Sequence, residues 1–347
     1  MVTRSVMTVR PDDPELVWCG AVDVRHTPQW SQAWRLPHDQ IGLFHDENLR
    51  SCAGMATGVR IRFITDSSII AGRSEPADDW TDLTPMDLVV NGEVFGSVLA
   101  SADGRFAFDV LPDGEKTIEL WLPQYGTLRL NALELSDGAT LRPAEPVGGP
   151  RLVTYGSSIT QCRAAASPTQ TWPAIVARQL GLDLTCLGFG GQCHLDSMVA
   201  RVIRDLPADV IIACVGINIY GGGTLNKRSF LPAILGFMAT VRDGHPGIPI
   251  LVISPIHSPS REAIAGPGGM TLAEMRAEVA HAVELLRDHG DDDTHLLDGN
   301  DVLGPDKTDM LFDGVHPDNE GYRMMANAIA PEIDRILTLR PDMSSAR

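Results

Sequence analysis

Between residues 16 and 136 the apolar positions recur at every second residue in short runs. Val59-Arg-Ile-Arg-Phe-Ile-Thr65, Gly104-Arg-Phe-Ala-Phe-Asp-Val110 and Thr117-Ile-Glu-Leu-Trp-Leu122 all alternate in this way, the period that sends successive side chains to opposite faces of a strand. Turn-forming strings stand between them: Asn91-Gly92, Ala102-Asp-Gly104, Pro112-Asp-Gly114 and Gln124-Tyr-Gly126. Glycine supplies positive φ at such sites and Asn or Asp tolerates it. No helical pattern of useful length interrupts the region, so an all-β sandwich of jelly-roll type is expected over residues 1–136. Residues 137–150 carry three prolines and three glycines without any period, and read as a linker.

From residue 151 the pattern changes to short apolar runs alternating with amphipathic stretches. Strands are expected at 152–155, 184–187, 210–215, 250–253 and 295–297, and helices near 171–180, 194–204, 229–242, 271–289 and 319–337. The fourth helix is well marked. Thr271 and Glu274 form a capping box, Leu272, Met275, Val279, Val283 and Leu286 share one face, and Gly290 ends it. Regular strand–helix alternation predicts an α/β domain over 151–340, a parallel sheet covered by helices on both faces in three layers. Ligands bind such sheets at the carboxyl ends of the strands.

The 347 residues include 44% hydrophobic and 21% charged side chains, enough to bury full cores. The formal charge of -17 repels phosphate backbones and anionic membrane surfaces, so neither nucleic acid nor a membrane is an expected partner. No run approaches the ~20 apolar residues of a membrane span, and the first twenty residues lack the apolar core of a signal peptide, which makes the cytoplasm the expected compartment. Six cysteines without a Cys-x-x-Cys pair suggest buried thiols rather than a disulfide framework or a zinc site.

Candidate chemistry gathers at the expected strand ends. Leu152-Val-Thr-Tyr-Gly-Ser-Ser-Ile-Thr160 stops an apolar run at Gly156 and presents two hydroxyls. A serine there is held on a turn by the sheet, with its backbone N–H free to face a developing oxyanion, which makes Ser158 the candidate nucleophile. Read alone, the string is ordinary turn composition, a strand ending in a polar loop. Leu187-Gly-Phe-Gly-Gly-Gln192 follows the second strand; it lacks the spacing of a phosphate-binding loop, and is either a tight turn or a place where the Gly191 N–H approaches a ligand. Asn218, closing the third strand in Val215-Gly-Ile-Asn218, could aim its amide at the same oxygen or simply cap a turn. In Asp313-Gly-Val-His316 the carboxylate lies three residues before the imidazole, close enough to accept from one ring nitrogen and leave the other as a base.

Taken in order, Gly156-Ser-Ser-Ile-Thr160, Gly191, Asn218 and Asp313-x-x-His316 resemble the four blocks of the SGNH or GDSL hydrolase superfamily. The resemblance spans about residues 150–337. It implies a flavodoxin-like hydrolase domain, Ser158 as nucleophile with His316 and Asp313, and an oxyanion hole from the Ser158 and Gly191 N–H groups and the Asn218 amide. Ser157 stands where Asp is usual and Cys162 where Gly is common. The front half resembles the β-sandwich preceding the hydrolase domain of certain bacterial esterases in this superfamily, through Ile118-Glu-Leu-Trp-Leu-Pro-Gln-Tyr125 and Met86-Asp-Leu88, with Val89 in place of a tyrosine.

The resulting expectation is a serine esterase that removes a short acyl group, acetyl above all, from a carbohydrate or other small hydroxylated compound, without metal or cofactor. An acyltransferase or thioesterase on the same site, or a lectin-like protein with an inactive hydrolase domain, are the alternatives. His194, Tyr220 and His257 follow strand ends or the glycine turn and are candidate pocket residues. Trp172 and the Met324–Met325 pair are assigned to the core, Asp291-Asp-Asp293 to a solvated loop, and the oligomeric state is left open.

Overall fold

Residues 5–75 and 83–339 are described by the computed structural model; the outermost residues of the expected domains, 1–4 and 340, lie outside them. The chain sorts into two units, one of Met1–Ile41, Ala53–Val147 and Ala166–Thr169, the other of Gly42–Cys52, Gly148–Ala165 and Gln170–Arg347. Relative to a division at the linker, two short segments are exchanged.

The first unit contains β1 (Val6–Val9), β2 (Val17–Cys19), β3 (Asp23–His26), β4 (Ser31–Trp34), β5 (Arg60–Thr65), β6 (Ile69–Glu75), β7 (Met86–Val90), β8 (Glu93–Val98), β9 (Arg105–Asp109), β10 (Lys116–Trp121), β11 (Arg129–Ser136) and β12 (Arg142–Pro143). They form two antiparallel sheets, ordered β3-β4-β11-β6-β9 with β1 beside β11, and β12-β5-β10-β7-β8 with β2 beside β5. Ile61, Phe63, Leu88, Ile118 and Leu120 of one sheet share a buried cluster with Ile70, Phe106, Phe108, Leu133 and Leu135 of the other, which is the core of a sandwich. Strand β9 shows the expected alternation, with Phe106 and Phe108 inward and Arg105, Ala107 and Asp109 outward. On β5 the polar face is covered as well: Arg60 lies over the Trp121 ring at 5.1 Å and Arg62 pairs with Glu119 at 3.0 Å, since a guanidinium can be buried when an aromatic face or a carboxylate receives it.

Two expectations for this half are corrected. The expected linker belongs to the sandwich in part: β12 pairs with β5 through Arg142↔Ile64 and Pro143↔Phe63, Thr65 Oγ1 donates to Thr140 O at 2.6 Å, and Arg62 Nη1 to Glu145 O at 2.7 Å. Pro143 lacks a donor and so sits on an edge strand. A helix, α1 (Glu47–Ala53), occupies the stretch read as helix-free; at two turns its periodicity is too brief to read, and Asp46 caps it by accepting from the Asn48 and Leu49 N–H groups. Segment 166–169 joins the first unit because buried Asp87 accepts through Oδ2 from Ser167 Oγ at 2.6 Å, Thr169 N at 2.9 Å and Thr169 Oγ1 at 2.5 Å.

The second unit runs β13 (Arg151–Gly156), α2 (Ser158–Gln161), α3 (Trp172–Leu180), β14 (Asp183–Gly188), α4 (Ser197–Asp205), β15 (Val210–Cys214), α5 (Ile217–Gly222), α6 (Phe230–Gly244), β16 (Ile250–Ile253), α7 (Leu272–Asp288), β17 (Thr294–Leu297), α8 (Gly299–Val302) and α9 (Asn319–Thr338). All five strands are parallel, in the order β14-β13-β15-β16-β17. Right-handed crossovers place α3 on one face and α4, α6 and α7 on the other, and the packing of α3 with α9 and of α6 with both α4 and α7 agrees. Chain direction across the sheet reverses at β13, and the carboxyl ends of β13 and β15 flank this switch point, the place where such sheets bind ligands. Several boundaries and one loop differ from expectation. Helix α4 starts at Ser197, not 194, because Leu195 takes φ +61° and Asp196 is extended. Helix α6 continues to Gly244, and β15 stops at Cys214. Asp291 is not simply solvated: it forms a largely buried pair with Arg242 at 2.8 Å and accepts from Thr294 Oγ1. The capping box of α7 is present, and Trp172 is fully buried with its indole N–H on Ile159 O at 3.0 Å. The six cysteines are free thiols.

Candidate active site

The site begins where β13 meets α2. A Cβ on Gly156 would stand 2.1 Å from Thr160 Oγ1, so only glycine lets the chain turn this tightly from strand into helix. The two serines that follow divide the work. Ser157 is buried and caps α2, its Oγ accepting from the Ile159 N–H at 3.1 Å, which is a role that an aspartate would also fill. Ser158, half-buried, places Oγ 2.8 Å from His316 Nε2.

The imidazole is oriented from its own turn. His316 Nδ1 lies 2.7 Å from Asp313 Oδ2, while Asp313 Oδ1 accepts from the backbone N–H of His316 at 2.7 Å and of Val315 at 3.0 Å. A carboxylate facing Nδ1 keeps the proton there, so neutral Nε2 is the acceptor and Ser158 the donor. Burial pushes the Asp313 carboxyl up, but the two N–H donors and the imidazole outweigh it and hold the group below the ordinary carboxylate value.

Two further loops border this pair. Gly191, at φ +72°, belongs to the turn after β14, and the neighbouring Gly190 would bring a Cβ to 3.8 Å from Ser158 Cβ. Gln161 on α2 holds that turn by accepting from the Gly190 N–H at 2.8 Å. Asn218 lies on α5, after β15; its Oδ1 accepts from the Cys193 N–H at 3.0 Å, which leaves Nδ2 as the outward donor. The amide hydrogens of Ser158 and Gly191 donate to no protein acceptor among the described residues.

The three expected pocket residues are all engaged in holding loops. His194 donates from Nε2 to the Gly191 carbonyl at 2.9 Å, and its Nδ1 pairs with Thr224 Oγ1 at 2.8 Å. Tyr220 donates to Ile264 O at 2.9 Å, with Arg261 over its ring at 5.5 Å. His257 Nδ1 stands 3.4 Å from Glu262 Oε1.

A supporting network was missed from the sequence alone. Ser258, 1% exposed, donates from Oγ to the Gly314 carbonyl at 2.8 Å, inside the turn that carries Asp313 and His316. Its own N–H donates to Glu262 Oε1 at 3.0 Å. Glu262 receives Arg276 in a two-pronged pair, both contacts 3.0 Å, and Arg276 Nε donates to Pro255 O at 2.9 Å. Burial raises Glu262, and the guanidinium and the Ser258 N–H more than reverse this, leaving it below its ordinary value. The available signal was Arg276 on the apolar face of α7 next to Met275, a charge that is rarely buried without a partner. Among the described residues no cluster of three or more His, Cys, Asp or Glu could hold a metal ion, and no helix is long and apolar enough to cross a membrane.

Comparison with known proteins gives a consistent outcome. Residues 150–334 match a family model described as the GDSL-like lipase/acylhydrolase family, and residues 16–131 match a model of the SsfX3 N-terminal domain. The chain superposes on the salicylyl-acyltransferase SsfX3 from a tetracycline biosynthetic pathway with 34% identity and a TM-score of 0.86, covering 95% of this chain and 97% of that one. A protein described as a GDSL-like lipase from Bacteroides ovatus shares 22% identity, with a TM-score of 0.79 over 96% and 98% of the two chains. A family two carbohydrate esterase from Cellvibrio japonicus shares 14%, with a TM-score of 0.65 over 96% and 98%; these two show likeness of fold. No match was found among curated proteins.

Proposed function

We propose a reaction from the premise that the chain belongs to the GDSL-like lipase/acylhydrolase family and is an enzyme of SGNH-hydrolase type: Ser158, His316 and Asp313 transfer a short acyl group from an ester, through an acyl-enzyme, to water. The observation that carries this reading is the continuous chain Ser158 Oγ to His316 Nε2, 2.8 Å, and His316 Nδ1 to Asp313 Oδ2, 2.7 Å.

As Ser158 Oγ bonds to the ester carbonyl carbon, its proton passes to His316 Nε2 and the carbonyl electron pair moves onto oxygen. That oxyanion faces the N–H groups of Ser158 and Gly191 and the Asn218 amide. Collapse breaks the bond to the alcohol, which leaves with the proton from Nε2. Water then attacks the acyl-enzyme with the same base, releasing the acid and restoring Ser158. Asp313 stays ionised throughout and stabilises the imidazolium. The acyl donor is a small ester, an acetylated carbohydrate or similar hydroxylated compound in first place.

A second reading has its own support. The 34% identity to a salicylyl-acyltransferase over 97% of that chain favours an alcohol taking the place of water in the second half-reaction. Product analysis with an ester donor and an added alcohol distinguishes the two outcomes.

The test of the site is labelling by a fluorophosphonate followed by peptide mapping. Wild-type protein should take one label, on Ser158, and Ser158→Ala none, with esterase turnover lost in parallel. A Ser158→Ala protein that keeps its turnover would end this reading.

A further inference from the structure

Phe312 is 62% exposed, yet its backbone is fixed. Its N–H donates to the His316 carbonyl at 3.1 Å, Leu311 bridges Pro317, and Gly314 N–H returns to Leu311 O at 3.2 Å. Its ring lies nearly parallel to the His316 imidazole, 24° between planes and 5.9 Å between centroids. An apolar ring thus stands in solvent, against the base of the reaction, on a turn whose backbone is tied to that base. Single exposed apolar side chains are common on protein surfaces, and what sets this one apart is its partner.

The chemistry says which part of a substrate it meets. His316 Nε2 must protonate the departing alcohol and deprotonate the incoming one, so the alcohol oxygen comes within about 3 Å of Nε2. The acyl oxygen points the other way, toward the Gly191 and Asn218 loops. Atoms a few bonds beyond the alcohol oxygen therefore fall within reach of a ring stacked beside the imidazole. Resting on the proposed acyl-transfer reading of Ser158, we propose that Phe312 is the floor of the alcohol subsite, and that it selects alcohols with a flat apolar ring face over acyclic ones. An aromatic ring offers such a face, and so does the C–H face of a pyranose; both stack on an aromatic side chain.

The experiment compares three acetyl esters with one acyl group and different alcohols: benzyl acetate, methyl 6-O-acetyl-glucopyranoside and butyl acetate. For Phe312→Ala, kcat/KM should fall about three- to tenfold for a ring-bearing ester, the range expected for one lost stacking contact, and by less than about twofold for butyl acetate. Phe312→Tyr should keep the preference. Whether the benzyl or the pyranoside arm falls identifies the ring chemistry. An equal fall for all three esters would mean that Phe312 only props the imidazole, and no fall in any would mean that it touches no substrate; either overturns the proposal. Fluorophosphonate labelling of Ser158 is read in the same samples. Intact labelling with an unselective Phe312→Ala leaves the acyl-transfer reading standing and removes this one, whereas absent labelling in wild type removes both.

Discussion

The buried hydroxyl of Ser258 donates to the carbonyl of Gly314 at 2.8 Å across 56 positions of sequence. Gly314 lies between Asp313 and His316, so this bond sets the pitch of the turn that aims the imidazole. Ser258→Ala should lower kcat about tenfold while KM changes little, because a misaimed base weakens the transition state more than ground-state binding. Steady-state kinetics on a single ester checks this, with Ser258→Thr restoring most of the rate. A rise in KM at constant kcat would assign Ser258 to binding instead.

Behind that bond stands the Arg276–Glu262 pair. Breaking a buried pair by removing one partner costs about 3–5 kcal/mol, and since the Glu262 side chain keeps 19% exposure, the low end of that range applies to Arg276→Met. Replacing both, as Arg276→Met with Glu262→Leu, should recover part of the loss. Urea unfolding of the three proteins measures it, and a double variant weaker than the single one would contradict the argument.

Asp313 makes a pH-dependent contribution with a definite sign. Its folded-state value lies below the ordinary one, so its stabilising effect is complete above the unfolded-state value of about 3.9 and is lost as pH falls through the depressed folded value. The advantage in melting temperature of wild type over Asp313→Asn should shrink as pH falls from about 5 toward 2. At neutral pH the same variant should lose ~10²- to 10⁴-fold in kcat, since an amide facing Nδ1 favours the wrong tautomer.

Asn218 is expected to act on the rate and, through its bond to the Cys193 N–H, on the loop that follows β14. Its Oδ1 is taken by the Cys193 N–H, which leaves Nδ2 as the donor that the proposed mechanism aims at the oxyanion. Asn218→Ala should raise the barrier by about 2.7–4 kcal/mol, roughly a hundredfold or more in kcat, and Asn218→Asp should be at least as slow, because a carboxylate would repel the oxyanion. Fluorophosphonate labelling of both variants should continue at a reduced rate, a sign that Ser158 and His316 remain paired.

Much of this was legible along the chain. The period-two runs around Phe63, Phe106 and Ile118 mark the sandwich, the apolar runs over 152–155, 184–187 and 210–215 mark the parallel strands, and Thr271 with Glu274 marks the start of α7. These features are local: alternation of side chains and a cap spanning three residues depend on backbone geometry within a few positions. Helix α1 and the strand in 142–143 were not legible, being too short to show a period.

What the sequence by itself determined was the two fold classes and the alternation of five parallel strands with five longer helices, because burial imposes a repeat that can be read one segment at a time. The resemblance already pointed to Ser158 with His316 and Asp313; only the tertiary structure decided that Ser157 caps α2, that His194, Tyr220 and His257 brace loops, and that Ser258, Glu262 and Arg276 stand behind the Asp313 turn. Such pairings join residues tens of positions apart through bonds of about 3 Å, and a contact of that reach is set by where folded loops come to rest, a quantity that no local repeat encodes.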